Sequence, residues 1–143
     1  MGQAVTLAKE AAEEGEVPVG AVVVLDGRIV GTGRNRREIS KNALAHAEIE
    51  AINEACRTLG GWRLWQCDMY VTLEPCPMCT GAIINSRIKR LVYGASDYKA
   101  GSCGSVVDLF SLPYNHKPEV VSGVMKEECA ALLTDFFKKL RKK

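Results

Sequence analysis

Residues 73–79, Leu-Glu-Pro-Cys-Pro-Met-Cys, constrain this chain more than any other stretch. The run Met69-Tyr70-Val71-Thr72-Leu73 reads as a buried strand, and Gly81-Ala82-Ile83-Ile84 as the body of a helix. Two thiols therefore fall where a strand ends and a helix begins. Pro77 suits the first helical position, where a missing N–H is no loss. Cys76 and Cys79 then stand three apart in the first turn, so both sulfurs can reach one point in space. The unpaired N–H groups and positive dipole end of the helix favour thiolate over thiol, the form that a zinc ion binds.

The flanking sequence supplies the elements that would carry this junction. Residues 3–14 read as an amphipathic helix, with Val5, Ala8, Ala11 and Ala12 on one side and Gly15 as its stop. Residues 17–25 are apolar and rich in β-branched side chains, and Asp26-Gly27 leads into Arg28-Ile29-Val30. A two-residue Asp-Gly link between such runs predicts a hairpin, because both turn positions need positive φ. Residues 34–43 read as a polar loop. A second helix runs from about 46 to 59, with Ile49, Ile52, Cys56 and Leu59 expected to face a core and Gly60-Gly61 ending it. Trp62 and Trp65 read as partly buried anchors. Then come a strand at 67–73, a helix at 77–86 and a strand at 89–93, a unit that favours parallel strands with a right-handed crossover. A short helix near 106–110, an edge strand at 119–122 and a final helix at 126–141 follow. In that last helix Cys129, Leu132, Leu133, Phe136, Phe137 and Leu140 share one face. The order predicts one α/β layered domain over 1–143 with a mixed sheet.

Charge and cysteine usage narrow the function classes. The net charge of +2 does not mark a nucleic-acid binder, but basic residues cluster at Arg34, Arg36 and Arg37, and again at Lys138, Lys139, Arg141, Lys142 and Lys143. The simpler reading of the second group is a helix end complementing its own dipole. No apolar run reaches membrane-span length. The start, Met1-Gly2-Gln3-Ala4, lacks a signal peptide's basic and apolar blocks, so a cytoplasmic protein is expected. Six cysteines in that setting point to metal or catalysis before disulfides.

Alone, Cys76-x-x-Cys79 has three readings: a redox dithiol, part of a structural zinc cluster, or part of a catalytic zinc site. The dithiol leaves Ala45-His46-Ala47-Glu48 unexplained. The structural cluster needs a fourth protein donor, and Cys56, Cys103 and His116 lack zinc-finger spacing to the others. His46-Ala47-Glu48 is weak by itself. Together with Pro75-Cys76-Pro77-Met78-Cys79 it resembles the zinc-dependent cytidine/deoxycytidylate deaminase superfamily, whose signature is His-x-Glu followed by Pro-Cys-x-x-Cys. Within it the chain looks closest to the bacterial tRNA-specific adenosine deaminases. Glu16-Val17-Pro18-Val19-Gly20-Ala21, Asn35-Arg36, Tyr70-Val71-Thr72-Leu73-Glu74, Ser86-Arg87-Ile88, Tyr93-Gly94-Ala95, Gly104-Ser105, Asn115-His116 and Phe136-Phe137 extend the similarity over nearly the whole chain.

The resemblance implies a three-layer α/β/α cytidine-deaminase-like fold with about five strands, and one zinc ion per chain on His46, Cys76 and Cys79. It implies Glu48 as the proton shuttle, and conversion of adenosine to inosine at the wobble position of tRNA. The chemistry suits these residue types: three protein ligands leave zinc an open position for water, whose pKa falls to about 7. Asn35, Asp97, Lys99 and Phe136 match positions that contact the base or the anticodon stem-loop, and a homodimer is implied. The alternative reading is a deaminase of a free base or nucleoside, with the same zinc chemistry and a different pocket.

Overall fold

Glycines in a strand decide how this sheet is covered. The computed structural model describes residues 1–142; Lys143 of the C-terminal basic group lies outside the described residues. In chain order the elements are α1 (Gly2–Glu13), β1 (Gly20–Leu25), β2 (Arg28–Arg34), α2 (Ala47–Leu59), β3 (Asp68–Leu73), α3 (Pro77–Ser86), β4 (Arg90–Ala95), a 3-10 turn (Leu109–Ser111), β5 (Glu119–Val121) and α4 (Lys126–Arg141). The sheet order is β2-β1-β3-β4-β5. β1 runs antiparallel to β2 and β3, whereas β3, β4 and β5 are parallel. Helices α2 and α3 cover one face and α1 and α4 the other, which is the expected three-layer α/β/α arrangement with five strands.

The hairpin forms as its turn residues require, with Asp26 at φ 51° and Gly27 at φ 76°. β2 continues past Val30 to Arg34, into part of the expected loop, and presents Gly31 and Gly33 to α2. A Cβ on Gly33 would meet the backbone of Ala47 and Ala51, so α2 lies directly on the strand. The helix accordingly buries Ala47, Ala51 and Ala55, each 0% exposed, together with Glu48 and Ile52. Of the face predicted from Ile49, Ile52, Cys56 and Leu59, Ile52 is buried and Cys56 packs partly against the core, but the deepest positions are the alanines, because close approach selects small side chains. Ile49 and the outer side of Cys56 line a shallow apolar groove with Ala82 of α3 and Trp62, and Leu59 is exposed.

Other expectations shift for similar reasons. Trp62 and Trp65 are exposed rather than anchored, and Trp62 takes the guanidinium of Arg63 over its ring at 4.3 Å. The helix expected at 106–110 is a single 3-10 turn placed later, with Val106 and Val107 exposed and Phe110 buried. On α4 only Cys129 is fully buried, Leu132 packs against its cluster, and Phe137 and Leu140 at the far end of that apolar face lie exposed. None of the six cysteines is in a disulfide. Among the described residues no helix is long and apolar enough to cross a membrane.

Candidate active site

Two helix N-termini converge at the carboxyl end of β3. His46 precedes α2 as its N-cap, and Cys76 does the same for α3, both in extended backbone. His46 Nδ1 lies 3.7 Å from Cys76 Sγ and 3.6 Å from Cys79 Sγ. A tetrahedral ion bound about 2.1 Å from nitrogen and about 2.3 Å from sulfur holds those atoms about 3.6 Å apart, so the donor set fits zinc in both element and spacing. Among the described residues this trio is the one His/Cys/Asp/Glu group that could hold a metal. The three other donors considered for a fourth ligand are engaged elsewhere. Cys103 Sγ is buried 3.4 Å from Thr80 Oγ1, His116 Nε2 contacts the carbonyl of Ile88 at 2.7 Å, and Cys56 packs against the core.

The electrostatics match a cation site. The Cys76 thiol is pulled down to about 4, first by hydrogen bonding with Cys79 and then by His46, against the cost of burial. Cys79 is pushed far up, first by its hydrogen bond with Cys76 and then by burial and the charges of Glu48 and Cys76, and His46 is raised by its hydrogen bond with Cys76. Two sulfurs crowd one point where a second negative charge needs a cation. Glu48, in the first turn of α2, is 4% exposed. Burial pushes its carboxyl up to about 7, with the Cys76 charge adding to the effect and His46 opposing it.

These groups open into a cavity of about 190 Å³ whose lining includes Val17, Val19, Asn35, Leu73, Asp97 and Ala100. That is below the roughly 300 Å³ at which drug-sized pockets begin, so it suits one heteroaromatic base with the rest of a nucleotide outside. Asn35 is buried and braces the wall: its Nδ2 donates to the Val17 carbonyl at 3.2 Å, and its Oδ1 accepts from the Arg37 N–H at 3.2 Å. Asp97 lines the cavity, Lys99 is exposed two residues along the same loop, and Phe136 lies on α4, outside the lining, in an edge-to-face pair with Phe137.

Two buried carboxylates hold the walls, and reading the sequence assigned neither of them a role. Glu16 accepts the N–H groups of Glu38 at 3.1 Å and Ile39 at 2.7 Å, fixing the loop after β2. Glu74 accepts the N–H of Asp97 and of Cys103, each at 3.0 Å, that of Ser105 at 3.1 Å, and the Ser105 hydroxyl. The available signal was an acidic residue abutting an apolar strand, which must be satisfied if buried.

A family model for MafB19-like deaminases matches residues 1–141. Over its full length the chain is 50% identical to the tRNA-specific adenosine deaminase of Bacillus subtilis (strain 168), of which it covers 89%. The chain belongs to the tRNA-specific adenosine deaminase family. The Haemophilus influenzae member is likewise 50% identical over 99% of the chain and 83% of its own length. A solved structure from work on A-to-I editing by tRNA:A34 deaminases at the wobble position superposes with a TM-score of 0.88 at 49% identity, covering 91% of this chain and 95% of that one. The guanine deaminase of Bacillus subtilis is more distant, with a TM-score of 0.66 and 34% identity over 99% of this chain and 91% of its own.

Proposed function

We propose that the chain converts adenosine to inosine at the wobble position of tRNA by hydrolysis, with His46, Cys76 and Cys79 holding one zinc ion and Glu48 carrying protons. The observation behind this reading is the buried Glu48 carboxyl beside the His46/Cys76/Cys79 trio at the floor of a base-sized cavity. When bound, zinc supplies a Lewis acid with one open position and brings the pKa of a water to about 7. Glu48, whose carboxyl burial raises, takes a proton from water and delivers it to the ring N1, then takes the proton of the new C6 hydroxyl and delivers it to the departing amine. A C6–O bond forms, the C6–N6 bond breaks, and ammonia leaves. Val17, Val19 and Leu73 give the base an apolar seat, and Asn35 and Asp97 bring polar groups to its edge.

An anticodon base must unstack to enter such a cavity, so a single-stranded loop is the expected substrate. The deciding experiment offers an anticodon stem-loop, free adenosine, guanine and cytosine to the zinc-loaded protein. Turnover of the stem-loop is expected; turnover confined to free bases would make this a free-base deaminase. Glu48→Ala should retain zinc while turnover falls by about 10²- to 10⁴-fold or more; loss of the metal in that variant would mean a structural site. A homodimer fits this reading, since the groove between α2 and α3 leaves Ile49, Cys56 and Trp62 for a partner to cover, and sedimentation equilibrium tests it.

A further inference from the structure

Arg37 stands apart from its neighbours. Arg34 pairs with Glu10 and Glu14, and Arg36 with Glu50, but no carboxylate lies within 4.0 Å of the Arg37 guanidinium among the described residues. Arg37 is exposed and lines the mouth of the base cavity, where His46 is the only other basic side chain. Its backbone is held firmly. The Arg37 N–H donates to Asn35 Oδ1 at 3.2 Å, its carbonyl accepts from the Asn42 N–H at 3.1 Å, and Glu16 pins the next two residues. Elsewhere in the lining Asp97 Oδ1 accepts the N–H groups of Lys99 and Ala100 at 3.0 and 3.2 Å, and the exposed Lys99 follows on the same loop. Arg37 is thus an exposed guanidinium in the cavity lining with no carboxylate beside it among the described residues, free to take an anion there.

We propose that Arg37 binds a backbone phosphate next to the base seated in the cavity, so that the site selects a base within a polynucleotide over a free base. This rests on the nucleic-acid reading above and names the side chain that enforces it. The cavity accommodates the base but not the sugar and phosphate, which places a flanking phosphate at the rim. The planar guanidinium fork matches phosphate oxygens two at a time.

The test is a double-mutant cycle on the zinc-loaded full chain. Anticodon stem-loops carry a neutral methylphosphonate at one or the other linkage flanking the target adenosine. For the wild-type chain, one of the two should lower kcat/KM by about 10- to 100-fold, the range of a lost charge-assisted hydrogen bond. For Arg37→Ala the same replacement should cost less than about threefold, because the partner charge is already gone. The slope of log affinity against log salt should shrink by about 0.7 in Arg37→Ala. Arg37→Lys should keep the wild-type slope while recovering only part of the affinity. If Arg37→Ala folds poorly or loses zinc, Arg37→Met, which retains the aliphatic stem, takes its place. Equal losses from the neutral linkage in wild-type and variant, or an unchanged salt slope, would overturn the proposal while leaving tRNA deamination standing. A wild-type chain that turns over no stem-loop would overturn both.

Discussion

Glu74→Gln changes almost no volume and removes one charge, so it isolates what a buried carboxylate does for the cavity wall. The carboxylate is 2% exposed and receives four donors: Asp97 N–H and the Ser105 hydroxyl on Oε1, Cys103 N–H and Ser105 N–H on Oε2. A glutamine has one acceptor oxygen and one NH₂ donor. With NH₂ at the Oε2 position, two backbone N–H groups face a donor. At the Oε1 position the Ser105 hydroxyl can turn to accept, and only Asp97 N–H is orphaned. The second arrangement is cheaper. It still orphans one buried donor, at about 1–3 kcal/mol, and strips charge assistance from the remaining bonds. A loss of about 2–4 kcal/mol follows. A chain of this size shifts by about 3 °C per kcal/mol, so Tm should fall by about 6–12 °C. Calorimetry and urea unfolding of the zinc-loaded proteins measure it.

The same pair of proteins carries a pH dependence. Burial raises the Glu74 carboxyl, but hydrogen bonds from Ser105, Asp97 and Cys103 outweigh it and hold the folded value below the ordinary one. A group with a depressed folded pKa stabilises fully above its unfolded value, about 4.3, and loses that contribution as pH falls through the lower folded value. The stability gap between wild-type and Glu74→Gln should therefore be full at neutral pH and close under acid. A Tm change below about 2 °C, or a gap that stays constant into acid, would refute the account of Glu74 as the residue holding the loop. Because Asp97 and Ala100 line the cavity, KM for a stem-loop should rise in the variant.

The remaining predictions probe the other parts of the site. Gly33→Ala places a Cβ against the Ala47 carbonyl, 2.8 Å from Ala51 N and 2.9 Å from Glu50 Cβ. Overpacking of this kind costs about 1–3 kcal/mol or more; α2 should be pushed off β2, and thermal melts and kcat should both fall, since His46 and Glu48 travel with the helix. A chelator should abolish turnover, with one zinc ion per chain restoring it, followed by metal analysis alongside the assay; activity in metal-free protein would contradict the site. Cys103→Ser should leave zinc stoichiometry intact, because that sulfur contacts Thr80 and is not among the three donors; loss of zinc would reveal a fourth protein ligand.

What the sequence discloses here depends on how far apart the cooperating residues lie. Asp26-Gly27 and Pro77 act on their own backbone, so the hairpin and the start of α3 are legible from a few residues. His46, Cys76 and Cys79 are distant, yet their residue types announce a shared cation and the resemblance supplies the pairing. Hydrophobic periodicity places Ile52 on the buried face of α2 but misses its centre, because it weights Ile and Leu while the contact is governed by Gly31 and Gly33 on another element, which admit only alanines. The apolar face of α4 has the right period but is covered only at Cys129 and Leu132 and left open at Phe137 and Leu140, because periodicity reports a tendency to bury and cannot supply the partner. Glu16 and Glu74 are the most instructive case. Each looks like an ordinary acidic residue in a loop or at a strand end. Yet a buried carboxylate must find donors, and the nearest ones are unpaired N–H groups of loops more than 20 residues away in sequence. The two loops so captured carry Arg37 and Asp97 into the cavity lining. The placement of both loops is thus set by two acids that need not touch the substrate, and the requirement that buried polar groups be satisfied is what turns loop sequence into site geometry.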